Sequence, residues 1–376
     1  MKGYLVGIVL ALILLSAACK SRPDRVRVGI ALTQPSLAGI LLAAKELNAE
    51  GGIGGVPLEL VEMEGNSQYD ASAIVKWAKI FADTKDLVAV IGHNDSASTL
   101  SAAAFYNQAR VPNIVTVATN PAITNIGYWT YRLCLSDSTQ GPALAEYAVR
   151  DWRKKRIAVF YVNDDYGRGL ARLFEKRVRE LGGEIVSSVM HRNALEAEDQ
   201  EMILSILARM KGEGEPNLIV IFQRVIAANW MVRAIRGSGI TSDILGGDSI
   251  ALPELIQTDS ELKEGIRISQ FSVPEPGNKR SIQFARNFMA FTGRNPDYAA
   301  AFAYDALYLV RDAVLQGGFS RPGVKSYLDR LIKDGVRIEG VGGPYTLRTD
   351  HDARRALYVA EVHDGSFRLL KALPVN

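Results

Sequence analysis

The chain has 376 residues, of which 48% are hydrophobic and 23% charged, with a formal net charge of +3 and only two cysteines. Charges of both signs are mixed along it, so no basic stripe marks a nucleic-acid partner. Two cysteines, one of them near the N-terminus, cannot staple the fold as disulfides staple small secreted domains.

Met1, Lys2 and Gly3 form a short basic start, and Leu5 to Leu15 follow as an uncharged apolar run. At ~1.5 Å per residue this run is too short to span a hydrocarbon core of ~30 Å. It has the length of the apolar region of a signal peptide, predicted over 1–18. Ser16-Ala17-Ala18-Cys19 then resembles a bacterial lipobox, although Leu15 stands one position further back than usual. The resemblance implies that Cys19 is acylated and that the protein is anchored to a membrane without crossing it. An ordinary signal peptide with an incidental cysteine is the alternative. Lys20 follows, and by the Gram-negative sorting rule a residue other than Asp there implies the outer membrane. The second cysteine, Cys134, lies in the alternating stretch Tyr131 to Leu135 and is expected to be a small buried hydrophobe.

About 358 residues remain after the leader, enough for two lobes. Strand patterns are predicted at Val26–Leu32, Pro57–Met63, Leu87–Ile91 and Asn113–Val117, with helices over 36–50, 71–82 and 96–109 between them. The pattern restarts with strands at 156–161, 183–190, 218–222 and 244–246 and helices over 169–181, 199–212 and 226–238. Near-continuous apolar strands alternating with helices indicate parallel sheets covered on both faces. A further strand is expected over 266–273, leading into Pro274-Glu275-Pro276-Gly277, which either joins the lobes or turns a loop. Helices follow over 279–292, 297–316 and 321–334, then extended segments at 343–348 and 355–372.

Four stretches carry a family resemblance. They are Glu46-Leu47-Asn48-Ala49-Glu50-Gly51-Gly52-Ile53, Ile91 to Thr99, Ala118-Thr119-Asn120-Pro121, and Asp164-Asp165-Tyr166-Gly167-Arg168-Gly169. In order and spacing the chain resembles type I periplasmic binding proteins of the branched-chain amino-acid (Leu/Ile/Val) family of ABC-transporter receptors. The resemblance implies an α/β fold of two similar lobes, each a mostly parallel sheet flanked by helices, joined by a multi-strand hinge. Lobe 1 would hold 25–136 and 273–349, and lobe 2 would hold 137–272 and 350–376. It also implies hinge closure on a small ligand and a membrane permease that reads the closed form.

The site follows from both readings. Ligands of open α/β sheets bind beyond the carboxyl ends of the strands. Ser96 opens a helix there, where unpaired N–H groups and its hydroxyl suit a carboxylate; it is otherwise a helix cap. Thr119, with Val117 supplying backbone, matches the family residue that meets the ligand's α-carboxylate and ammonium; otherwise Thr119 only forms a turn. Tyr166 resembles the second-lobe tyrosine that reaches the ligand on closure, or else it packs on Arg168 or the loop. Asp248 matches the acidic residue that holds the α-ammonium, or else it caps a short helix.

Two positions depart from the pattern. Ala38 stands where the family has an aromatic, and Arg224 where a tyrosine would follow the strand 218–222. Arg224 could recognise an acidic ligand, pair with Asp248, or be a solvated charge. Branched-chain specificity is therefore not carried over. The expected ligand is an amino acid or related small carboxylate.

No G-x-S-x-G, Walker A or G-x-G-x-x-G pattern is present. His93, His191, His351 and His363 lack metal-ligand spacing, so neither a metal nor a cofactor is expected. A sensory protein of the same fold and an exported hydrolase using Ser96 or Asp248 are the alternatives to a transport receptor.

Overall fold

Apolar runs that need two covered faces become the interior strands. In the computed structural model, which describes residues 22–64, 70–193, 195–257, 259–272 and 278–375, the run Leu87–Gly92 is buried throughout. It is strand β3 of a parallel sheet with Val26–Ala31 (β1), Leu58–Glu62 (β2), Asn113–Val115 (β4) and Thr130–Arg132 (β5), in the order β2-β1-β3-β4-β5. Helices α1 (Ser36–Ala49), α2 (Ala71–Asp83) and α3 (Ser96–Gln108) connect its strands. The leader over 1–18, Cys19, and the Pro-rich junction 273–277 lie outside the described residues.

The second sheet repeats the winding. Arg156–Val162 (β6), Glu184–His191 (β7), Leu218–Phe222 (β8), Asp243–Gly246 (β9) and Arg267–Gln270 (β10) run parallel in the order β7-β6-β8-β9-β10. Each sheet thus has its first strand between the second and third, and this reversal of winding leaves a crevice at the carboxyl ends. In the chain α4 (Asp137–Glu146) joins the two sheets and packs on α5 (Asp165–Glu180), which with α6 (Ala197–Glu213) and α7 (Val225–Gly237) alternates with the strands of the second. The two-lobed α/β expectation holds.

After the second sheet, α8 (Lys279–Thr292), α9 (Tyr298–Gly317) and α10 (Arg321–Asp334) return to the first: α9 packs on α1, and α10 on β3. A small antiparallel sheet of Arg337–Gly340 (β11), Gly343–Leu347 (β12) and Ala353–Arg355 (β13) follows. Leu357–His363 (β14) and Ser366–Leu373 (β15) then extend the second sheet, β14 pairing antiparallel with β10. The guanidinium of Arg355 ties the crossing segments together. It donates to the carbonyls of Leu133 at 2.9 Å and Gly342 at 2.7 Å and lies over the Phe302 ring.

Several boundaries differ from the sequence expectation. The strand predicted to Val117 stops at Val115, and α5 begins at Asp165 rather than Gly169. Asp164 explains the earlier start: its side chain accepts from the Gly167 amide at 2.8 Å, an N-cap that satisfies one orphan donor of the first turn. A Cβ at Gly167 would collide with the Val162 carbonyl, so only glycine lets the helix turn in this tightly behind β6. Strand β5 and helix α4 were not expected at all. Cys134 is fully buried as anticipated, and burial pushes its thiol well above the ordinary range.

Candidate functional site

Five strand ends converge on one place. Ser96 follows β3, Thr119 follows β4, Tyr166 follows β6, Arg224 follows β8 and Asp248 follows β9. Together with Val117 they line a cavity of about 50 Å³ between the two sheets, so all six ligand-contact candidates are brought together. Val117 and Ala118 are the apolar members of the lining. The others are polar and include Asn94, Asp95, Ser249 and Tyr298.

On the side of the first sheet, Ser96 is 2% exposed and its hydroxyl accepts from the Asn120 amide at 3.3 Å. It is not the helix cap. Asp95 caps α3, accepting from the Ser98 amide at 2.9 Å, which leaves Ser96 in the first helical turn at the positive end of the helix dipole. Thr119 is 1% exposed and its carbonyl accepts from the Asp137 amide at 2.8 Å, while its buried hydroxyl has no hydrogen-bond partner. The loop carrying it is held from behind by Arg132, a fully buried side chain. Arg132 donates to the Asn120 carbonyl at 2.7 Å and pairs with Asp352.

On the other side, the Tyr166 hydroxyl donates to Asp248 Oδ1 at 3.0 Å, and Ser249 Oγ lies 2.9 Å from it. Tyr166 therefore points into the cavity and not toward Arg168, which binds Asn163 and Asp165 instead. A Cβ at Gly247 would come within 2.5 Å of the tyrosine hydroxyl, so glycine there makes room for the ring. Asp248 is 2% exposed; it also accepts from Gln140 Nε2 at 2.8 Å, and Tyr298 on α9 reaches its other oxygen at 3.5 Å. Burial raises the Asp248 pKa, opposed by the bonds from Gln140 and Tyr166 and by the charge of Arg224.

Arg224 pairs with Asp164 at 2.8 Å and lies over the Tyr166 ring at 5.1 Å, with 31% of its side chain exposed. Its hydrogen-bonded carboxylate is Asp164 rather than Asp248. Burial lowers its pKa, but the nearby carboxylates of Asp164, Asp95 and Asp248 outweigh this and hold it above the ordinary value. Asn120 links the two sides directly, donating from Nδ2 to the Asp165 carbonyl at 2.7 Å.

The site contains groups the sequence reading passed over. Asp137 and Gln140 on α4 and Tyr298 on α9 carry no motif of their own, and Asn120, although within Ala118-Thr119-Asn120-Pro121, had no role assigned to it. The helix expected over 297–316 brings in Tyr298, capped by Asp297, whereas α4, capped by Ser136, was not expected. His93 is fully buried, contacts the Tyr106 hydroxyl at 3.1 Å, and is pushed down by burial to about 4, so it is a neutral packing group. Ala38 lies buried in α1 and is not part of the cavity wall.

Two carboxyl ends of crevice-forming sheets, closed over a polar cavity, are the arrangement of a two-lobed solute receptor. A model of the periplasmic binding protein family matches residues 28–366. The chain belongs to this family. An amino acid binding protein of Pseudomonas aeruginosa is 29% identical over 222 residues, 58% of this chain and 57% of that protein. The Leu/Ile/Val-binding protein homolog 1 of Brucella suis is 25% identical over 329 residues, 85% of this chain and 86% of its own. Among solved structures, a leucine-binding protein of Thermotoga maritima is similar with a TM-score of 0.82 at 26% identity, covering 93% of this chain and 98% of its own. The branched-chain amino acid transporter substrate binding protein LivJ of Streptococcus pneumoniae, solved with isoleucine, gives 0.81 at 25% identity, covering 93% and 100%. The resemblance to type I receptors of the Leu/Ile/Val group therefore stands, and these are substrate-binding proteins rather than enzymes.

Proposed function

We propose that this periplasmic binding protein captures a small polar amino acid for an ABC transporter. One observation carries the reading. Across a single cavity, a helix N-terminus with the Ser96 and Thr119 hydroxyls faces the buried carboxylate of Asp248. The first end suits an α-carboxylate and the second an α-ammonium, so the pair matches a zwitterion. Arg224, Asp95 and Asn94 surround the remaining space, which favours a polar side chain over a branched aliphatic one. His93 does not serve Ser96 as the base of a hydrolase, because its Nε2 contacts the Tyr106 hydroxyl.

In this reading 25–136 with 273–349 and 137–272 with 350–376 are the two lobes. Ligand docks on Ser96, Val117 and Thr119. Closure then brings Tyr166, Arg224 and Asp248 onto it, and a membrane permease reads the closed form. The leader over 1–18 exports the chain and Cys19 carries the lipid, which in a Gram-negative cell anchors it to the outer membrane.

A thermal-shift screen of amino acids, small carboxylates and amides on protein starting at Lys20 tests this. A ligand at about 100 times its dissociation constant stabilises the native state by ~2.7 kcal/mol. Serine, threonine or asparagine should raise Tm more than leucine or isoleucine. Stabilisation by uncharged non-amino-acid compounds alone would remove Asp248 from its assigned role.

A further inference from the structure

Beneath the cavity sits a second carboxyl group that the contacts above do not use. Asp137, the first residue of α4, is fully buried, and its Oδ2 has no hydrogen-bond partner. Its Oδ1 lies 3.4 Å from Gln140 Nε2, the same amide nitrogen that donates to Asp248 at 2.8 Å. One side-chain amide thus bridges two carboxyl groups. Its oxygen accepts from Ser269 at 2.8 Å, which fixes the amide's orientation.

The charges around the pair are committed elsewhere. Asp137 is faced by Asp248 beyond β9, by Arg132 on β5, by Thr119 beyond β4 and by Gln140 on its own helix. Asp248 is faced in turn by Tyr166, Tyr298, Cys134 and Arg224. Arg132 is already paired with Asp352, and Arg224 with Asp164. The Thr119 hydroxyl is near enough to favour the Asp137 carboxylate, yet it forms no hydrogen bond of good geometry with it. A second negative charge beside Asp248 therefore has no counter-ion in the ligand-free protein. Two adjacent buried carboxyls in that position titrate as a pair and retain a proton.

We propose that Asp137 is a proton-holding second carboxyl of this site, and that capture of an ammonium-bearing ligand drives the proton off it. The inference rests on the amino-acid reading given above. The ligand's ammonium supplies the missing positive charge against Asp248. The O–H bond of the Asp137 carboxyl then breaks, its electron pair stays on the carboxylate, and the proton passes to the buffer. The ammonium keeps its own protons throughout. Burial first, and the charge of Asp248 second, push the free carboxyl up to about 8, so the proton is present under neutral conditions. The site thereby selects for a cation: a neutral ligand of the same shape gains nothing from the exchange.

Isothermal titration of the intact protein near neutral pH with L-serine, L-alanine and glycine, in phosphate, HEPES and Tris, tests the proposal. The observed heat should vary with buffer ionisation enthalpy, giving a release of about one proton per ligand. The dissociation constant should fall by up to about tenfold per pH unit below roughly pH 8 and level off above it. Asp137→Asn has the shape of the neutral acid; its complex should form without proton release and with a pH-flat affinity. Binding by the wild type with no buffer dependence would overturn the proposal and leave the amino-acid reading intact. Unchanged proton release from Asp137→Asn would overturn it too, placing the proton on Asp248. Should that variant not fold, Asp137→Ala takes its place with the same expected loss of proton release, and a wild type without buffer dependence still overturns the proposal. No binding by any of the three probes would overturn both readings.

Discussion

Replacing Asp248 by Asn separates the charge of the site from its shape. The side chain accepts from Gln140 at 2.8 Å and from Tyr166 at 3.0 Å on the same oxygen. An Asn placed with its carbonyl at that position keeps both bonds and presents its amide toward Tyr298. Burial raises the Asp248 pKa, so the charge is costly in the ligand-free state. Ligand-free Asp248→Asn is therefore expected to melt at or above the wild-type temperature. Binding is different, because the ammonium loses its ionic partner. Breaking one side of a buried, hydrogen-bonded charge pair costs ~2–5 kcal/mol, and about 3 kcal/mol corresponds to a roughly 100-fold weaker dissociation constant. Calorimetric titration beside a melting curve reads both quantities. An affinity within threefold of wild type would refute the assignment of Asp248 to the ammonium, and so would an affinity loss accompanied by a matching loss of Tm.

Asn120→Ala removes the hydrogen bond to Asp165 that links the two sides of the cleft. At ~1 kcal/mol it should weaken ligand binding about fivefold, and scattering should show a more open ligand-free form, with little change in Tm. Cys134 is fully buried with a raised thiol pKa, so a thiol reagent should label it only after unfolding; rapid labelling of the native protein would contradict the packing. The contribution of three buried carboxyls to the pH dependence of ligand-free stability has a definite sign. Asp137 goes from an ordinary carboxyl value of 3.8 to about 8 in the fold, and Asp297 and Asp305 each to about 6. The native state holds these protons more tightly than the unfolded chain, so their contribution to stability falls as pH rises between the two values, by at most ~1.4 kcal/mol per pH unit per group. Denaturant titrations should show Asp137→Asn losing the part of this slope between about pH 7 and pH 8, where Asp297 and Asp305 are mostly ionised. Parallel slopes in wild type and variant would remove Asp137 as its source.

The strand–helix alternation was legible because parallel strands buried on both faces have to be apolar throughout, and β3 and β8 are. Positions at strand ends were legible for a related reason: the fold places crevices there, which pointed to Ser96 and Thr119, while Tyr166, Arg224 and Asp248 came from the family resemblance. Their local roles were less readable. Asp95 and Ser96 are both good caps, and only the backbone decides that Asp95 caps while Ser96 is left facing the cavity. Arg224 had several candidate partners, and its pairing with Asp164 depends on how α5 turns in over Gly167. The extended stretch 355–372 hid a hairpin, although Asp364-Gly365, with both residues at positive φ, is a recognisable turn signal. The Asp137–Gln140–Asp248 cluster had no sequence signal. It joins residues 108 positions apart through one side-chain amide, and α4 itself carries too weak an apolar face to announce a helix.

The most direct test of the binding reading is a crystal structure with the amino acid that ranks first in the thermal-shift screen. The ligand carboxylate should sit against Ser96, Thr119 and the first turn of α3, with its ammonium within about 3 Å of Asp248 Oδ2 and its side chain toward Arg224. A ligand bound outside this cleft, or one with its carboxylate turned toward Asp248, would contradict it.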